Sequence, residues 1–121
     1  MRIVKINGKD LPVLARYSAI KMFCEKKGID FFEFPELLMS YGIDKPDFRP
    51  NTKFIDDMAL LMFAFLERGA EASGEVLDLK VNDVIDWFLD GNLNVIFELI
   101  TESQGQSKNV KATKRAKAGV V

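Results

Sequence analysis

The sequence predicts a mainly α protein: a helical domain with an N-terminal β-hairpin and a disordered, basic C-terminal tail. Three observations carry this. Asn7-Gly8 sits between two short alternating segments, the strongest short-range signal for a hairpin. Apolar residues downstream recur at helical spacing in several segments, each bounded by glycine. Charge is split along the chain. Residues 1–102 hold 12 bases and all 18 acids, a net −6, whereas residues 103–121 hold five bases and no acid. The expected boundary falls near Ser103 to Gly105, giving a folded domain over 1–103 and a tail over 104–121.

In the hairpin, a two-residue type I′ turn pairs Ile6 with Lys9, Lys5 with Asp10 and Val4 with Leu11. Val4, Ile6, Leu11 and Val13 then share an apolar face. Lys5 and Asp10 face each other as an ion pair on the opposite face. Pro12 has no N–H to donate, which places its strand at an edge.

A helix is expected from Tyr17 to Lys27, with Ile20, Phe23 and Cys24 inward and Gly28 as its left-handed stop. A short helix near Glu36 to Tyr41 ends at Gly42. Residues 43–52, with Pro46 and Pro50, read as a loop. The strongest helix spans Phe54 to Arg68, and Gly69 and Gly74 bracket a loop after it. Val81, Val84, Ile85 and Phe88 form one face of the next helix, with Asp83, Asp86 and Asp90 on another. Gly91 ends it, and Asn92 is placed to cap a last helix carrying Leu93, Ile96, Phe97 and Ile100. The pair makes an αα-hairpin.

The tail has no aromatic residue and cannot bury enough apolar surface to offset its ordering entropy. The longest apolar run, Met58 to Leu66, is too short to span a bilayer, which needs about 20 residues. The first residues alternate and do not form a signal-peptide core. With a single cysteine, this points to the cytoplasm.

Composition narrows the chemistry. The chain has no histidine and one cysteine, Cys24. Histidine triads, histidine metal ligands and Cys-rich zinc sites are excluded. Cys24 reads as a buried thiol without an activating base. Asp83, Asp86 and Asp90 read as a solvated acidic face rather than a metal site, because hard cations also draw on loop carbonyls. Asp56-Asp57 reads as charge at a helix start rather than an acid–base pair. No phosphate-loop pattern occurs. No catalytic, cofactor-binding or metal residue is therefore expected, and the protein is not expected to be an enzyme.

The positive signal is the helix from Phe54. Phe54, Met58, Leu61, Met62 and Phe65 form one stripe, and Leu60, Phe63 and Ala64 a second. Such a helix is either central in the core or shared with a partner chain, including a second copy. Its methionines and aromatics suit adaptable binding of apolar helices. The stripe, with Trp87, is the candidate partner-binding set.

The order of segments resembles a known family. A strand ending in Lys5-Ile6-Asn7-Gly8-Lys9 precedes the helix Tyr17-Ser18-Ala19-Ile20-Lys21. An apolar mid-chain helix, the Asp-Val-Ile-Asp-Trp-Phe-Leu-Asp segment at 83–90, an Asn-rich turn, a final helix and a Lys-rich tail follow. This pattern resembles the small tail assembly chaperones of long-tailed phages and prophages. The resemblance implies a non-enzymatic protein of the bacterial host cytoplasm. It would keep the helical tape-measure protein soluble while tail-tube subunits assemble, by reversible helix-in-groove binding. It also implies a longer product made by frameshifting, here near Ser107 to Asn109. The alternative is a small nucleic-acid-associated regulator acting through the basic tail. The tail's lack of stacking side chains argues against base readout.

Overall fold

The computed structural model describes the backbone of residues 2–112 and side chains through Gln104. Strand β1 (Arg2–Ile6) pairs antiparallel with β2 (Lys9–Val13) in a two-stranded sheet. The register is Ile6 to Lys9, Lys5 to Asp10 and Val4 to Leu11, as the turn predicts. Asn7 and Gly8 both have positive φ, 55° and 76°, as a type I′ turn requires. Val4, Ile6 and Val13 are buried, Leu11 partly so. The Lys5 ammonium lies 3.6 Å from the Asp10 carboxylate on the other face.

Helix α1 (Tyr17–Lys27) has the expected bounds. Its stop is a Schellman closure: Gly28 has φ 72°, and the Ile29 N–H donates to the Cys24 carbonyl. A 3₁₀ turn (Phe31–Glu33) runs directly into α2 (Phe34–Ser40), two residues earlier than the sequence suggests. Pro35 explains the shift, because proline is well placed in a first helical turn.

Helix α3 (Thr52–Ser73) is the axis of the domain. The Asn51 side chain caps it by accepting from the Phe54 N–H at 2.9 Å. The expected end at Arg68 is corrected: α3 continues through Gly69 and stops at Gly74, whose φ is 69°. Gly69 is not a loop residue but a crossing point. A Cβ there would lie 2.1 Å from the Pro12 carbonyl oxygen and 2.9 Å from the Val13 Cα. Strand β2 thus lies directly on the helix backbone. Next to the crossing, the Leu14 N–H donates to the Phe65 carbonyl at 3.2 Å.

Helix α4 (Val81–Trp87) leads into a π turn (Phe88–Asn92) and then α5 (Asn94–Ala112). Gly91 breaks the helix at φ 100°. The expected role of Asn92 is corrected: its side-chain amide donates back to the Trp87 carbonyl at 2.9 Å, closing the π turn rather than capping α5. The backbone of α5 stays helical past the expected boundary at 104, while residues 113–121 lie outside the described residues.

The core surrounds α3. Phe54 stacks on Phe97 of α5 with centroids 5.9 Å apart, and meets Tyr41 and Phe48 edge-on at 5.2 and 5.1 Å. Phe23 of α1 meets Phe34 of α2 edge-on at 6.0 Å. Arg2 reaches from β1 to Glu98 and Glu102 of α5, at 2.6 and 3.2 Å.

Candidate functional site

The six residues expected to bind a partner divide into two groups. Phe54, Met58, Leu61, Met62 and Phe65 are at most 1% exposed and form the interior of this one chain. Trp87 is half-buried, its ring 5.7 Å from that of Phe88. The stripe on α3 thus fills the core rather than the surface. The physical reason is coverage: residues of the hairpin, α1, α2, α4 and α5 pack with this stripe in one core, while Leu60 and Phe63 of the second face are half-buried.

A polar cluster lies at the start of α3. Asp57 is 4% exposed, unlike its exposed neighbour Asp56. Its Oδ1 accepts from the Lys27 ammonium of α1 at 2.7 Å. Its Oδ2 accepts from the Tyr41 hydroxyl at 2.7 Å and from Lys53 at 3.0 Å. Burial pushes the Asp57 carboxyl up. The hydrogen bonds from Lys27, Tyr41 and Lys53, with the Lys27 charge, outweigh that and hold it below the usual carboxylate range. Burial and the hydrogen bond to Asp57 push the Tyr41 hydroxyl far up, so it stays neutral. A carboxylate held ionised by three donors is a poor proton acceptor. The cluster therefore joins α1, α2 and α3 as a structural pin.

The reading of Asp57 as charge at a helix start is thereby corrected. The missed signal was in the sequence: Asp57 is three residues after Phe54 and four before Leu61, on the inward stripe. Lys53 stands one turn before it.

The other candidate groups are placed plainly. Cys24 is buried, and burial followed by the charges of Asp30 and Glu33 raises its thiol, so it carries little thiolate. The Asp83 carboxylate accepts from the Lys80 N–H at 3.0 Å at the start of α4, while Asp86 and Asp90 are exposed. Among the described residues, no three potential metal ligands converge. No helix among them is long and apolar enough to cross a membrane.

The notable surface is on α2. The 3₁₀ turn and α2 form one continuous helical stretch from Phe31 to Ser40. Phe34 and Leu38 face the core. Phe32, Pro35 and Met39, spaced i, i+3 and i+7, share an outward ridge. Phe32 is 80% exposed and Met39 52%. Phe32 continues an aromatic chain: its ring is 5.3 Å from Phe31, which is 5.6 Å from the half-exposed Tyr17. Asp30, Glu33 and Glu36 flank the ridge. They are exposed, and among the described residues none is in an ion pair. No sequence pattern singled out this ridge, because the Phe31-Phe32-Glu33-Phe34 run does not reveal which ring turns outward.

Comparison with family models, with curated proteins and with solved structures returned no match.

Proposed function

We propose that this chain is a phage or prophage tail assembly chaperone that binds a helical tape-measure client without catalysis. The observation that carries the reading is the ridge of Phe32, Pro35 and Met39, an apolar stripe on a surface helix where a solvated face is the norm. A flexible methionine and a protruding aromatic ring suit reversible contact with the apolar seam of another helix. The other ground of the reading is the resemblance of the segment order in the sequence to that family. With the α3 stripe buried, this reading puts the client on the α2 ridge rather than in a groove. Client contact through a small ridge is of the moderate strength that handover to tail-tube subunits requires.

The test is to sequence the region beside this gene for a long reading frame of coiled-coil-prone helical pattern, whose absence overturns the reading, and to co-express that frame with this chain. A soluble complex should form and should be lost in the double variant Phe32→Ser/Met39→Ser, whose own melting curve is unchanged. A client that stays insoluble, or soluble without this chain bound, overturns the reading. Salt-sensitive binding to random DNA in place of a complex would favour the regulator instead.

A further inference from the structure

We infer that the α2 ridge selects a cationic partner: an amphipathic helix of another protein with lysine or arginine beside its apolar seam. The inference rests on the reading of the ridge as the partner surface and adds the partner's charge. Residues 28–44 carry four acids, Asp30, Glu33, Glu36 and Asp44, and no base. All four are exposed, and among the described residues none is in an ion pair. The nearest preceding bases are committed elsewhere: Lys27 lies 2.7 Å from the buried Asp57, and Lys26 lies 3.4 Å from Glu67. Glu33 and Glu36 follow Phe32 and Pro35 by one residue each, so they run along one shoulder of the ridge. The Asp30 N–H donates to Glu33 Oε1 at 2.8 Å, which fixes that carboxylate at the start of the stretch.

Shape and charge together fit one class of occupant. From Phe32 to Met39 the ridge runs about 10 Å, two turns of a facing helix. Apolar residues at i, i+3 and i+7 of that helix cover Phe32, Pro35 and Met39. Positions beside such a seam then stand over Glu33 and Glu36, where lysine or arginine is attracted and glutamate is repelled. Lysine and arginine also cover the exposed Phe32 ring with their aliphatic stems and place their charge over its face. The same carboxylates disfavour the other occupants of an exposed apolar ridge. Nucleic acid and an anionic bilayer bring phosphates against them. A second copy docking ridge to ridge brings the same acids. The net −6 over residues 1–102 adds a longer-range field of the same sign.

The experiment titrates the full chain into two synthetic helical peptides that share one leucine seam. They differ only beside it, with lysine and arginine in one and glutamate in the other. Fluorescence anisotropy of the labelled peptides gives the affinities. At low salt the cationic peptide should bind about tenfold more tightly than the acidic one. At 1 M salt, where the Debye length is about 3 Å, the difference should shrink to less than about threefold. Amide shifts on binding should fall on residues 30–40. Glu33→Gln/Glu36→Gln keeps an acceptor for the Asp30 N–H and should remove most of the preference. Phe32→Ser/Met39→Ser should abolish binding. Equal affinity for the two peptides, a preference that survives Glu33→Gln/Glu36→Gln, no binding of either, or shifts on another face overturns the inference. A soluble client complex that needs Phe32 and Met39 would then leave the chaperone reading standing, with a client of another charge. Conversely, cationic-peptide binding at the ridge without any client complex overturns the chaperone reading alone.

Discussion

The two ends of α3 are held by opposite means. Near its start, Asp57 is a buried charge satisfied by groups from three elements: Lys27, Tyr41 and Lys53. Near its end, Gly69 holds the helix to β2 by the absence of a side chain, with the Pro12 carbonyl where a Cβ would stand. The first contact needs every partner present, and its strength varies with pH. The second needs only an empty volume and is insensitive to charge. A helix that is apolar on most of its surface has no fixed rotation or depth in the core. One polar anchor and one steric notch supply both.

The largest expected effect follows from the notch. Gly69→Ala should destabilise the domain by about 3 kcal/mol or more, because the clash is with backbone and cannot be relieved by a rotamer. Chemical denaturation measures it, and a loss under 1 kcal/mol would mean that β2 can lift off the helix. Next comes the anchor. Asp57→Ala should cost about 2 kcal/mol by leaving Tyr41 and Lys27 without their acceptor. The figure sits below that for a fully buried pair because Lys53 is largely exposed.

The anchor also predicts a pH dependence that the notch does not share. The folded Asp57 pKa lies below its unfolded value of about 3.9. As pH falls, the unfolded state takes up the proton first. The contribution is therefore fully present above about pH 4 and is lost progressively below it. The wild-type melting temperature should fall more steeply below pH 4 than that of Asp57→Asn. Parallel curves would remove Asp57 from the account of acid stability.

Gly8 sharpens the meaning of Gly69. A Cβ on Gly8 meets nothing within 4 Å, but its φ is 76°. Gly8→Val should therefore cost about 1–2 kcal/mol through backbone strain alone. Alanine at position 8 meets strain without a clash, and alanine at 69 meets a clash without strain. Comparing the two alanine variants by the same denaturation separates these costs. The smallest effect belongs to the ridge. Phe32→Ser should change stability by no more than about 0.5 kcal/mol, since the ring contributes exposed surface rather than core. A larger loss would make Phe32 part of the fold rather than of a docking surface.

What could be read in advance tracks how local the cause is. The hairpin register follows from two turn residues, and the end of α1 from Gly28 beside its last apolar positions. The end of α3 is not legible in this way, because a glycine that stops a helix and a glycine that admits another backbone look alike in sequence. Asp57 was partly legible, as a carboxylate on an apolar stripe with a lysine one turn earlier. Its other partners, 30 residues before and 16 residues before, were not. The partner-binding stripe on α3 was legible as apolar, but its fate as interior depended on how many elements covered it.

By itself, the sequence determined the mainly helical class, the hairpin and its register, the helix stops at Gly28 and Gly91, and the division of charge. Each rests on backbone preference or side-chain periodicity within a few residues. Tertiary structure alone decided that Gly69 is a crossing, that Asp57 is a buried anchor, and that Phe32 and Met39 rather than the α3 stripe meet solvent. Those outcomes depend on which distant surfaces compete for the same buried volume, and no short window of sequence contains that competition.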